Sequence, residues 1–232
     1  MAEPGSELLR EIGLLKGLSA SELDRVTRNC GWKTYAAQEQ IIDRQSESTD
    51  VFFVVEGRVR VVNYSVSGRE ITLDDIAPGG HFGELAAIDG APRSASVMAL
   101  TPSKLATLSQ ERFLDLIKNN SGVAFTVMRD LAAIVRNSTE RIMDLSTLAA
   151  NNRVQADLLR LAAGNMIDNS RASISPIPIH GDVASRVSTT RETVARVMND
   201  LARQGVVERK KDALVVNDVE RLREMVEEVR GE

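Results

Sequence analysis

Cysteine occurs once in the 232 residues, as Cys30. A single thiol permits no internal disulfide, no four-cysteine cluster and no tetrahedral thiolate metal site; its commonest use is as a small core residue. Histidine occurs only twice, at His81 and His180, far apart and with no acid-and-nucleophile pattern around either. Neither an enzyme nor a bound metal is therefore expected, and an enzyme built on Cys30 would need a partner base that the sequence does not show. Long apolar runs are missing too. The stretch from Val51 to Val55 falls far short of the roughly 18 residues that span a bilayer, and the N-terminus lacks the charged-then-apolar pattern of a signal peptide. The expectation is a cytoplasmic protein with no membrane partner.

The apolar content, 43%, is ample for buried cores, and 232 residues suit one large domain or two small ones. The net charge of −4 hides an asymmetry: residues 1–151 carry 16 Lys/Arg and 20 Asp/Glu, residues 152–216 carry 10 and 7, and residues 217–232 carry 3 and 6. Only the middle block is basic, and contact with nucleic acid phosphates is a local matter.

One segment concentrates chemistry. Gly79-Gly80-His81-Phe82-Gly83-Glu84-Leu85 is followed by Asp89-Gly90-Ala91-Pro92-Arg93-Ser94-Ala95. Glycines let backbone N–H groups converge on an anion, Arg93 offers a phosphate a fork of donors, and Glu84 accepts from ribose hydroxyls. A cyclic nucleotide presents both groups side by side. A glycine turn followed by an acid is also common in β-rich folds, and Glu84 and Arg93 can simply pair with each other across a loop.

Around this segment, apolar residues from Ser6 to Leu18 suggest a short helix, and Ser19-Ala20-Ser21-Glu22 carries start signals for a second. Between about Trp32 and Leu108, short β-branched runs punctuated by Glu56-Gly57, Ser67-Gly68 and Pro78-Gly79-Gly80 predict an antiparallel barrel or roll. Ser109-Gln110-Glu111 then opens a helical stretch. From Ala124, the positions Met128, Leu131, Val135, Ser138, Ile142, Leu145 and Ala149 follow at alternating steps of four and three, a heptad seam with one polar member. A helix over 121–150 would be roughly 45 Å long at 1.5 Å per residue, too long for one small barrel to cover. A parallel homodimer buries such a seam; packing on its own domain is the alternative. Ser138, with Thr139 beside it, either sets register or faces a ligand at the dimer axis.

Asn151-Asn152 reads as a hinge, followed by an amphipathic helix ending near Gly164 and an irregular connector bounded by Pro176 and Pro178. Asp182 to Val187 gives a short helix, Ser188-Thr189-Thr190 a turn, and Arg191 to Gln204 a second helix, which is helix-turn-helix spacing. Arg191, Glu192 and Arg196 fall within a 140° arc at the start of that second helix, the end that enters the major groove in this motif. Arginine matches guanine O6 and N7 bidentately and a carboxylate accepts from cytosine N4; a solvated charged face is the plain alternative. Residues 205–216 predict a two-stranded wing whose tip, Arg209-Lys210-Lys211, either touches phosphates or is merely solvated. An acidic helix follows, with Val219, Leu222, Met225 and Val226 on its buried face.

Phe-Gly-Glu followed by Pro-Arg-Ser-Ala resembles the phosphate-binding cassette of cyclic-nucleotide-binding domains, and Thr190-Arg191-Glu192-Thr193-Val194-Ala195-Arg196 is very similar to the recognition helix of cAMP-responsive Crp-Fnr transcription regulators. The likeness covers nearly the whole chain. It implies an α+β fold with a cyclic-nucleotide-binding, jelly-roll-like β-roll over 1–120, a dimerisation helix over 121–150 and a winged helix-turn-helix over 151–232. By the same resemblance, Gly83, Glu84, Leu85, Arg93, Ser94 and Ala95 hold the ribose cyclic phosphate, and Ser138 and Thr139 meet the base, in inverted order relative to the family's Thr-Ser pair. Arg191, Glu192 and Arg196 would read a TGTGA-like half-site, with Thr190 and Thr193 on phosphates. The implied effector is cAMP, with cGMP as the alternative; the implied partners are double-stranded DNA, a second copy of the chain and RNA polymerase. A cyclic-nucleotide-responsive subunit that binds a protein is the competing reading. Iron–sulfur sensing is excluded by the missing cysteines, and the two scattered histidines do not obviously supply haem ligands.

Overall fold

Burial demands in the first fifteen residues already bend the chain away from a regular helix. Leu9, Ile12, Leu14 and Leu15 are all buried, a set that no single α-helical face can carry. In place of the expected helix over residues 6–18, two 3₁₀ turns form, Ser6–Leu9 and Gly13–Leu15. The computed structural model describes residues 6–230, and the chain divides into two compact units between Ile134 and Val135. Helix α1 (Ala20–Asn29) opens with a capping box: the Ser19 hydroxyl accepts from the Glu22 backbone N–H, and the Glu22 carboxylate accepts from the Ser19 N–H at 2.8 Å.

Eight strands build the roll: β1 (Gly31–Tyr35), β2 (Gln40–Ile42), β3 (Val51–Glu56), β4 (Val59–Tyr64), β5 (Glu70–Ile76), β6 (His81–Phe82), β7 (Ser96–Ala99) and β8 (Ser103–Leu108), with helix α2 (Glu84–Asp89) between β6 and β7. They pair antiparallel in two four-stranded sheets, β1-β8-β3-β6 and β2-β7-β4-β5. The unbroken apolar run of β3 has a physical cause. Phe52 and Val54 face the core between the sheets, while Val51 and Phe53 face a second core shared with α1, α3 (Gln110–Asn119) and the start of α4 (Ser121–Thr147). Buried on both faces, the strand shows no polar alternation.

Within α4, Val123 and Val127 are buried and Leu131 packs beside them. The seam residues Met128, Val135 and Ile142 are instead 57%, 64% and 61% exposed, a row of apolar side chains on one helix left without cover. The helix ends at Thr147, not at 150, so Ala149 drops out of the seam. The break falls at Leu148–Ala149, because Leu148 leaves the helix to bury itself against Ala156 and Val226. Asn151 and Asn152 lie in the first turn of α5 (Ala150–Ala163); their preference for helix starts marked a boundary three residues late.

The second unit continues with β9 (Ala172–Ile174), α6 (His180–Arg186), α7 (Arg191–Arg203), β10 (Val207–Arg209), β11 (Leu214–Val216) and α8 (Val219–Arg230). β10 and β11 form the expected wing. β9 was not expected; it adds to β11 by pairing Ala172 with Val216, and its three residues carry too little pattern to reveal a partner more than forty positions away. Val154 and Leu158 of α5, Val183 of α6, and Val194, Val197 and Leu201 of α7 share one core.

Replacing Phe53, fully buried in the two-faced strand, by alanine is expected to cost about 3–5 kcal/mol of stability in the first unit. Urea unfolding followed by fluorescence of Trp32, the single tryptophan, measures it.

Candidate functional site

β6 ends at Phe82, and the next residue, Gly83, takes a left-handed conformation at φ 89° before α2 begins at Glu84. The position needs glycine twice over. A Cβ there would be strained at this φ, and it would sit 2.7 Å from both Arg93 Nη1 and the Asp50 carbonyl oxygen.

Arg93 is only 4% exposed. Its Nη1 donates to the Gly83 carbonyl at 2.9 Å, its Nη2 to the Asp50 carbonyl at 2.7 Å and its Nε to the Ser48 hydroxyl at 3.2 Å. The guanidinium lies 5.9 Å from the centroid of the Phe52 ring, which stacks on Phe82 at 4.9 Å. Burial lowers the Arg93 pKa, while the charges of Asp50 and Glu84 act to raise it. Three of its five N–H groups are thus held by neutral acceptors, and no ion pair joins it to Glu84 among the described residues. The cross-loop pairing that the sequence left open does not form.

Glu84 is 8% exposed and opens α2, where a negative charge suits the helix N-terminus. Its carboxylate makes no hydrogen bond within the described residues. Leu85 and Ser94 are exposed and Ala95 is buried, and the Asn63 amide donates to the Ser94 carbonyl at 3.3 Å. The Arg93–Gly83 hydrogen bond joins the two halves of the segment, with Glu84 and Leu85 following Gly83 and Ser94 and Ala95 following Arg93. Ser48, Asp50, Phe52 and Asn63 complete the surroundings and were not anticipated; they lie 31 to 45 positions from their partners in sequence, beyond any local pattern.

Ser138 and Thr139 stand on consecutive positions of α4, in the second unit, both exposed. The Thr139 hydroxyl donates back to the Val135 carbonyl at 3.0 Å.

In the helix-turn-helix, Thr190 caps α7, its hydroxyl accepting from the Thr193 N–H at 3.3 Å. Ser188 turns the chain at φ 51°. Arg191, Glu192 and Arg196 are exposed and Thr193 partly so. Arg191 lies close against Gly181, whose absent Cβ would stand 2.9 Å from its Nε. Together with Ile179, His180, Glu192 and Arg209 they line an open cleft of about 630 Å³. The Glu192 carboxyl is held below its ordinary value by a backbone N–H, by the Thr190 hydroxyl and by Arg191. Arg196 reaches the Asn151 side-chain oxygen at 3.4 Å.

The turn before α7 is fixed from behind. Arg153 of α5 donates to the carbonyls of Leu148, Val187 and Ser188 at 2.8, 2.8 and 3.1 Å. Burial pushes the Cys30 thiol up to about 12, so it stays protonated and is no nucleophile at neutral pH.

Comparison with known proteins matches residues 32–120 to the family described as cyclic nucleotide-binding domain and residues 152–225 to the Crp-like helix-turn-helix domain. The cyclic AMP receptor protein of Thermus thermophilus is 32% identical over 196 residues, 84% of this chain and 87% of that protein. The cAMP-activated global transcriptional regulator Vfr of Pseudomonas aeruginosa is 28% identical, over 84% of this chain and 92% of its own. A solved structure of a CooA mutant from Carboxydothermus hydrogenoformans shares the fold, with a TM-score of 0.80 at 20% identity over 97% of each chain. A cyclic-nucleotide-binding domain followed by a DNA-reading helix-turn-helix defines a one-chain transcriptional switch. The chain belongs to the Crp-Fnr family of transcription regulators. It is a DNA-binding regulator with a cyclic nucleotide as its class of effector, and not an enzyme. Among the described residues, no helix is long and apolar enough to cross a membrane.

Gly83→Ala is expected to destabilise the first unit by about 1–2 kcal/mol through the left-handed backbone alone, read by Trp32 fluorescence in urea. Thr190→Ala, which removes the α7 cap, is expected to cost about 1 kcal/mol in the second unit, read by thermal unfolding in far-ultraviolet circular dichroism.

Proposed function

We propose that the chain works as a homodimer in the cytoplasm, takes cAMP as effector and then binds a palindrome of TGTGA-like half-sites. The observation that carries this reading is the state of the cassette: among the described residues, a buried Arg93 without a carboxylate partner and a Glu84 carboxylate without a donor. An anion is what the first needs, and a hydroxyl is what the second needs. A ribose cyclic phosphate supplies both. Arg93, with the Ser94 hydroxyl and the backbone around Gly83, Leu85 and Ala95, takes the phosphate, and Glu84 takes the 2′-hydroxyl. Ser138 and Thr139 meet the base. The relatives named for cAMP favour adenine, while cGMP shares every group the cassette touches.

Dimerisation rests on the uncovered row of Met128, Val135 and Ile142, which a second copy of α4 would bury. Two copies of α7 then address two half-sites about 34 Å apart. Arg191 and Arg196 read guanine edges, Glu192 reads cytosine, and Thr190, Thr193 and the wing residues Arg209, Lys210 and Lys211 hold phosphates. The effector acts by favouring the arrangement that fits DNA, and it can shift the equilibrium only by the difference in its affinity for the two states. RNA polymerase is the partner that converts occupancy into transcription.

Calorimetry of the purified protein with cAMP and cGMP tests the effector: heat with cAMP, abolished in Arg93→Ala, is expected, and no heat from either nucleotide overturns the reading. Anisotropy with a TGTGA-palindrome duplex tests the target. Binding should strengthen with effector, and Arg191→Ala and Arg196→Ala should each cost about 1–3 kcal/mol; an unaffected Arg191→Ala would instead favour a protein as the target of this module.

A further inference from the structure

The acidic helix α8 has no part in the function described so far, yet its end is tied to the break between α4 and α5. Asp144 sits in the last turn of α4, where a negative charge opposes the helix dipole, and it is 4% exposed. Two guanidiniums resolve this. Arg160 Nη2 of α5 donates to Oδ2 at 2.8 Å, and Arg230 Nη2 of α8 donates to Oδ1 at 2.7 Å. Arg160 also reaches Asp157 at 3.3 Å, and Asp157 in turn accepts from Arg186, the last residue of α6, at 2.9 Å. Alternating charges thus run from α8 through α4 and α5 to the first helix of the DNA-reading pair. Beside them Val226 of α8 covers Leu148, the residue that leaves α4 at the break.

We propose that α8 is a strap on this hinge, with Arg230 and Asp144 as positioning residues that hold the helix-turn-helix in register with the end of α4. A motion of α4 is then delivered to α6 and α7 as a rigid displacement. With the strap released, the Leu148–Ala149 break flexes and absorbs it. The consequence for DNA rests on the effector-dependent reading above; the mechanical consequence does not.

The test uses the full chain with Arg230→Ala, and with Arg230→Lys as the variant that keeps the charge. Amide hydrogen exchange followed by mass spectrometry should show the hinge, residues 148–153, exchanging about tenfold faster in Arg230→Ala, while α7 amides keep their protection. Arg230→Lys should restore most of the slow exchange. The cAMP-induced gain in affinity for the palindrome should fall at least about threefold in Arg230→Ala and return in Arg230→Lys. Unchanged exchange at the hinge overturns the proposal, as does equal acceleration at the hinge and α7, which would make α8 a general stabiliser. If neither nucleotide changes DNA affinity in the unmodified protein, the effector reading fails, and the exchange pattern still decides whether α8 is a strap.

Discussion

A buried guanidinium that is satisfied by neutral oxygens but not neutralised is the constraint around which the first unit is arranged. Three acceptors fix Arg93: two are backbone carbonyls and one is a serine hydroxyl. Taking a charge out of water is costly unless an opposite charge meets it, and here the nearest acids act only through space. The protein holds the cation in place with dipoles and leaves its charge for something else to answer. That choice explains the glycine at position 83, the stacked Phe52 and Phe82 under the guanidinium, and the loop that brings Ser48 and Asp50 to it. A carboxylate partner would have stabilised this arrangement and would blunt the phosphate contact proposed for Arg93.

The second unit uses arginines differently. Arg153 and Arg186 do not wait for a ligand; they hold carbonyls and Asp157 to fix the turn from which α7 projects. The base contacts proposed for Arg191 and Arg196 would depend on this rigidity, because bidentate contact with a base edge tolerates little angular error. The same side chain thus serves as a poised site in one unit and as a staple in the other: Arg186 meets the carboxylate of Asp157, and Arg153 gives its donors to the carbonyls of Leu148, Val187 and Ser188.

Much of this is written locally in the chain. The cassette groups fall within fifteen consecutive residues, the recognition helix within seven, and the capping box within four, so short patterns carried them. The seat of Arg93 was not legible, because Ser48 and Asp50 reach it through the pairing of β3, and nothing near them signals an arginine more than forty positions on. The helix expected over residues 6–18 gave way to 3₁₀ turns under a burial demand that helical periodicity does not represent. The end of α4 was misplaced by three residues, since Leu148 is drawn off by Val226 of a helix nearly eighty positions away. β9 is placed in its sheet by pairing with β11. The parts that escaped are those set by a distant neighbour, while the chemistry-bearing motifs were self-contained.

The acidic surface of α8 has an effect on how the protein searches a genome. Residues 152–232 carry thirteen Lys/Arg and thirteen Asp/Glu, and Glu220, Glu224 and Glu228 of α8 are exposed. Attraction to arbitrary duplex comes almost entirely from released counterions, and a module with no net charge gains little of it beyond its basic face. Such a protein spends less time parked on random sequence, which frees more copies to find their sites. Discrimination is therefore sharpened by weakening the background rather than by adding contacts at the target.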